Sequence, residues 1–84
     1  MKPIRSTSDL SAFLRITRQQ KGWTQAQLGE RAGVAEKHVN RIENGANEPR
    51  ISTVIALMAA LGFELTAQDT GADASIGRSV EDLF

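Results

Sequence analysis

Glycine closes an apolar-periodic run at four places in this chain: Gly22, Gly33, Gly45 and Gly62. A glycine just past a helix end takes the left-handed conformation that lets the last carbonyls find donors. Four such stops cut the first 62 residues into four short helices and leave little room for anything else. With 84 residues in all, the chain suits one small domain. The pattern predicts an all-α fold, a small helical bundle, with only the residues after Gly62 left over.

Each helix can be read from its start signal. The first runs from about Ser8 to Lys21, with Ser8 as N-cap and Leu10, Phe13, Leu14 and Thr17 on one face. The second, Gln25 to about Ala32, is specified twice. Thr24 with Gln27 forms a capping box, and Trp23 with Leu28 fits a hydrophobic staple. Trp23 is therefore read as core, with stacking on a base as the alternative. The third, Glu36 to about Asn44, has Val34 and Val39 as a second staple but Ala35 at its N-cap, a poor cap that costs about 1 kcal/mol relative to Ser or Thr. The fourth spans about Thr53 to Leu61, capped by Ser52. Val54, Leu57, Met58 and Leu61 face inward, and Ile55 broadens that face.

After Gly62 the period changes to two. In "FELTAQ", Phe63, Leu65 and Ala67 alternate with Glu64, Thr66 and Gln68, which reads as a strand. No other segment reads as strand, so its backbone groups need a partner outside the chain. The same strand of a second copy supplies one and makes a two-fold homodimer with Phe63, Leu65 and Ala67 at the interface. An extended arm lying on its own core is the other reading. Residues 1–68 then form the domain, and 69–84 a flexible tail rich in Gly, Ala, Ser and Asp. The tail regains apolar residues at Val80, Leu83 and Phe84, a spacing suited to docking on a partner.

Composition excludes several classes. There is no Cys and no Tyr, and His38 is the lone histidine. No thiolate or spaced His/Cys metal site and no nucleophile–base pair can be assembled from such a set, so no metal, no cofactor and no enzyme is expected. No apolar run approaches the ~20 residues of a membrane span, and the start "MKPIRSTSDL" has no apolar core of a secretory signal. A cytoplasmic protein is the default. Net charge is zero, yet residues 1–50 hold nine Lys/Arg against five Asp/Glu, and residues 51–84 one against five. That polarity suits a polyanion partner for the first part, although ordinary solubilising charge gives the same count.

The third helix carries the sharpest pattern. On a helical wheel Glu36, Asn40, Asn44, Lys37 and Arg41 fall within an arc of about 140°, opposite Val39 and Ile42. A helix buried by so narrow an edge protrudes. Arg and Lys can bridge guanine O6 and N7, Asn can bridge adenine N6 and N7, and Glu can accept from a cytosine amino group, so the face fits a DNA major groove. A merely solvated face would look the same. Gly29 stands on the second helix where the two helices must approach closely.

The stretch "TQAQLGERAGVAEKHVNRIENG" resembles the helix-turn-helix signature of the phage-repressor-like (XRE) DNA-binding family. Thr24, Gln25, Leu28, Gly29, Gly33, Val34, Ile42, Glu43 and Gly45 stand at its positions, with Gly29 where Ala is usual and Ala35 where Ser or Thr is usual. The similarity extends over about residues 8–62. It implies base reading by Glu36, Lys37, Asn40 and Arg41. It implies phosphate binding by Gln25 at a positive helix terminus and by Asn44, Asn47 and Arg50. Arg18 and Glu43 match a structural pair bracing the first helix against the third. "RQQKGWTQAQL", "ALGFELTAQD" and an acidic tail ending in an aromatic also resemble the HipB-type antitoxins. That resemblance implies a homodimeric repressor that binds palindromic double-stranded operator DNA and a HipA-like toxin kinase, with the strand paired across the dimer. The alternatives are a stand-alone regulator of the XRE family and a helical protein-interaction module without a primary DNA role.

Overall fold

The structure is a computed structural model, and it describes residues 3–71. Val80, Leu83 and Phe84, read as a docking tail, lie outside the described residues. Four helices follow in order: α1 (Thr7–Gln20), α2 (Gln25–Ala32), α3 (Glu36–Glu43) and α4 (Ile51–Ala60). α2 packs on both α3 and α4, and α3 also packs on α1. Among the described residues there is no strand.

The core sits where the four helices meet. Leu14, Leu28, Val39, Ile42, Val54, Leu57, Met58 and Leu61 are buried in it. Leu10, Phe13, Trp23, Val34 and Phe63 pack around its edge. The apolar edges read from the sequence thus converge, with one exception. Ile55, expected to broaden the inward face of α4, is half exposed, because Val54, Leu57, Met58 and Leu61 already fill the space against α2. Trp23 is a core-edge residue, and its ring is covered by the Arg31 guanidinium at 4.2 Å and by Lys21 Nζ at 5.5 Å.

Two helix starts differ from the sequence reading. α1 begins at Thr7 and its N-cap is Ser6, not Ser8. Ser6 Oγ accepts from the Asp9 N–H at 3.0 Å, while the Asp9 carboxylate accepts from the Arg5 N–H at 2.9 Å, so this pair takes the capping role. α4 begins at Ile51 with extended Arg50 at the N-cap and no side-chain cap; Ser52 lies inside the first turn. Pro49 precedes the cap, outside the helix, where its missing N–H costs no helical bond, and the chain turns helical directly after Arg50.

Phe63 leaves α4 and returns to the core. Its N–H donates to the Met58 carbonyl at 2.8 Å, and its ring meets Phe13 edge-on, with centroids 5.0 Å apart and planes at 86°. Beyond it Leu65 is half exposed and Ala67 exposed. Residues 63–70 carry neither helix nor strand within this chain.

Candidate nucleic-acid interface

The α2–turn–α3 unit is fixed mostly by short-range chemistry. At the start of α2 the capping box is complete: Thr24 Oγ1 accepts from the Gln27 N–H at 3.1 Å, and Gln27 Oε1 accepts from the Thr24 N–H at 2.8 Å. At its end Gly33 adopts φ 71°, ψ 31°, and the Gly33 and Val34 N–H groups both donate to the Gly29 carbonyl. Gly29 itself has no room for a side chain. A Cβ there would lie 2.4 Å from the Val34 carbonyl oxygen, in the turn that swings the chain into α3. The missing Cβ serves the turn backbone, a closer constraint than the crossing of two helices expected from the sequence.

α3 is held by one edge. Val39, Ile42 and Glu43 are buried, while Glu36, Lys37, Asn40, Arg41 and Asn44 are all exposed. The buried charge on that edge has a full set of partners. Glu43 Oε2 accepts from Arg18 Nε at 2.7 Å, and Oε1 accepts from Arg18 Nη2 at 2.9 Å. Arg18 Nη1 also donates to the Trp23 carbonyl at 2.8 Å, so the guanidinium ties α1, the α1–α2 joint and α3 together. The hydrogen bond to Glu43 raises the Arg18 pKa above its ordinary value; burial opposes this, and Coulomb attraction to Glu43 adds to it. The expected brace is thus present in bidentate form.

A second tie between α1 and α3 escaped the sequence reading. The buried Ser11 Oγ donates to the Ile42 carbonyl at 2.7 Å. Ser11 lies one turn before Leu14 on the inward face of α1, and a serine among apolar neighbours is the one sign that could have marked it.

The residues read as DNA contacts separate into two groups. Gln25, Asn40 and Asn44 are linked: Gln25 Nε2 donates to Glu43 Oε1 at 3.1 Å, Asn40 Nδ2 to Gln25 Oε1 at 3.1 Å, and Asn44 Nδ2 to Asn40 Oδ1 at 3.2 Å. The side chains of Glu36, Lys37, Arg41 and Arg50 are exposed, and the ion pair found among the described residues, Arg18–Glu43, uses none of them. Asn47 and Arg50 line one surface hollow together with His38, Ile42, Glu48, Pro49 and Thr53, beside the far end of α3. Gln25, Asn40 and Asn44 are thus joined across the α2–α3 seam to the exposed side of α3, whereas Asn47 and Arg50 meet α3 on its His38–Ile42 side. Phe63, Leu65 and Ala67 lie elsewhere, beyond α4.

A capped helix, a glycine turn and a second helix gripped along one edge define a helix-turn-helix unit. A family described as a helix-turn-helix domain matches residues 9–79, and the chain belongs to it. Among curated relatives, antitoxin HipB of Escherichia coli is 27% identical over 66 residues, covering 79% of this chain and 75% of the relative. An HTH-type transcriptional regulator of Haemophilus influenzae, itself uncharacterised, is 40% identical over 50 residues, covering 60% of this chain and 51% of that protein. Among solved structures, a HipB–O4 20mer complex has a TM-score of 0.76 at 26% identity, covering 83% of this chain and 99% of the other. A HipA–HipB–O2–O3 complex has a TM-score of 0.75 at 27% identity, covering the same shares of the two chains. None of the helices in the described residues is long and apolar enough to cross a membrane.

Proposed function

We propose that this protein is a sequence-specific DNA-binding repressor that acts as a homodimer and as the antitoxin of a HipA-like toxin kinase. The observation that carries the DNA reading is the division of α3. Its inner edge is locked by Val39, Ile42 and the Arg18–Glu43 pair, and its outer face keeps Lys37 and Arg41 exposed. On this reading α3 enters the major groove, Glu36, Lys37, Asn40 and Arg41 meet base edges, and Gln25, Asn44, Asn47 and Arg50 meet phosphates. Two copies place their α3 helices in half-sites about 34 Å apart on a palindromic operator.

The dimer reading rests on Leu65 and Ala67, which are exposed on a segment whose backbone has no ladder among the described residues. Pairing of residues 63–67 with a second copy gives those groups partners. Phe63, engaged with Phe13, anchors the strand to its own core. Sedimentation of wild type and Leu65→Asp tests this; a wild-type monomer at micromolar concentration contradicts it. The antitoxin reading draws on the likeness to HipB, one of whose structures is a complex with HipA. Deleting residues 69–84 is expected to abolish capture of a kinase-fold toxin while DNA binding survives.

The DNA reading is tested by titrating a palindromic duplex from the protein's own promoter. Affinity is expected to fall steeply between ~50 and ~200 mM salt, and Arg50→Ala to flatten that slope while weakening all sequences alike. Salt-independent binding contradicts it. A stand-alone regulator is the second reading, favoured by the 40% identity to the Haemophilus influenzae regulator. A toxin-kinase gene next to this one decides for the antitoxin.

A further inference from the structure

Glu43 belongs to two systems at once. It closes the buried pair with Arg18, and the same Oε1 atom accepts the first hydrogen bond of a chain of side-chain amides that runs out to the exposed face of α3. We infer that Glu43 is a positioning residue for sequence reading: it sets the direction of the relay Gln25–Asn40–Asn44 and thereby fixes which way the Asn40 amide faces. This rests on the reading of Asn40 as a base-reading residue.

A carboxylate has no N–H to give. Gln25 can meet Glu43 Oε1 only through Nε2, and it does so at 3.1 Å. Its Oε1 is then left for Asn40, which answers with Nδ2 at 3.1 Å. The Asn40 Oδ1 in turn receives Asn44 Nδ2 at 3.2 Å. The two ends of a carboxamide are nearly the same size, so shape alone would let each one turn over. Within this chain a turn at one link sets N–H against N–H or oxygen against oxygen. The end that decides the direction is 2% exposed and doubly held by Arg18, so it cannot adapt to the outer links. A charge in the core therefore dictates the order of donor and acceptor at the protein surface.

The consequence falls on Asn40. Beyond the relay it keeps one N–H and one oxygen lone pair. Adenine needs an acceptor for its N6 amino group and a donor for N7, in a set order along the groove. An Asn40 held in one orientation presents one order. A freely turning Asn40 presents both and must lose that freedom on binding. The relay also makes the phosphate-gripping amide of Gln25 and the base-reading amide of Asn40 neighbours in one hydrogen-bonded chain, so the two contacts are not independent.

Glu43→Gln would attack the direction itself but also breaks the buried pair, so the test is placed at Gln25→Met. This cuts the one link through which Glu43 acts and leaves Arg18–Glu43 in place. Affinities of wild type, Gln25→Met, Asn40→Ala and the double variant are compared on duplexes substituted at each base pair in turn. Asn40→Ala is expected to erase the preference at one base pair. Gln25→Met is expected to reduce the preference at that same pair about threefold or more, with the double variant no worse there than Asn40→Ala alone. In the free protein, the Asn40 side-chain amide resonances are expected to shift toward those of a solvated amide in Gln25→Met. A Gln25→Met protein that binds every duplex more weakly but keeps its base preference, with effects that add to those of Asn40→Ala, overturns the positioning role. An Asn40→Ala protein with unchanged preference at every pair overturns instead the reading of Asn40 on which the inference stands.

Discussion

α2 and α3 are each eight residues long, are joined by one turn and are each followed by a left-handed glycine, yet their starts are held by different means. α2 is specified from its ends: a complete capping box at Thr24 and a left-handed Gly33 after it. α3 has Ala35 at its N-cap and no side-chain cap, and it is held from its inner edge by Val39, Ile42 and the Glu43–Arg18 pair. A helix capped by its own side chains at its start leaves few backbone groups there for a partner. A helix gripped along one edge leaves the rest of its perimeter, including the Glu36 and Lys37 N–H groups of its uncapped first turn, open to a partner.

The largest break in that contrast is expected from Arg18→Met. It leaves the Glu43 carboxylate buried and unpaired and should cost about 3–5 kcal/mol, seen as a large drop in Tm, about 4–8 °C for each kcal/mol in a domain of this size. Because the Arg18 pKa is raised, its contribution is whole below the ordinary arginine range and is lost only as pH climbs through the raised value. Alkaline buffers short of that range should leave the difference between wild type and variant unchanged. An unchanged Tm would show that α3 does not depend on the Arg18–Glu43 pair.

Gly29→Val comes next. Its Cβ would press on the Val34 carbonyl, so the turn must move, at about 2–3 kcal/mol by denaturant unfolding. Gly29→Ala places the same Cβ there, with a gain in helix propensity of about 1 kcal/mol to set against it, and should cost less than the valine. On the open side of α3 the effects move from stability to binding. Lys37→Ala and Arg41→Ala should leave the unfolding free energy within about 0.5 kcal/mol of wild type while losing about 1–3 kcal/mol at particular base pairs. The smallest expected effects sharpen the contrast between the two helix starts. Thr24→Ala should cost about 1 kcal/mol, whereas Ala35→Ser should add up to about 1 kcal/mol, because only the second site lacks a side-chain cap.

Much of the scaffold was legible in the sequence because it is written in local chemistry. Thr24 with Gln27, Gly33 after Ala32, and the spacing of Val54, Leu57, Met58 and Leu61 act within a turn or two of chain, and pattern reading reaches that far. Two caps differ from the sequence reading for the same reason: Ser6 competes with Ser8, and α4 starts at Arg50 with no side-chain cap although Ser52 offers one, a choice that sequence spacing alone does not decide. The long-range ties were readable only in part. Arg18–Glu43 was visible through family resemblance, whereas Ser11 to the Ile42 carbonyl joins residues 31 apart through a backbone atom that has no residue signature. The exposed arc of α3 followed from its period. That Gln25, Asn40 and Asn44 form one hydrogen-bonded chain did not, because it depends on how α2 and α3 are turned toward each other.

The open face of α3 as a reader of base pairs is tested most directly by selecting binding sites from a pool of random duplexes with wild type and with Arg41→Ala. Wild type is expected to select a two-fold symmetric motif, and the variant to lose preference only at the same position of each half-site. A wild-type protein that selects no motif, or two proteins that select the same one with equal strength, would contradict it.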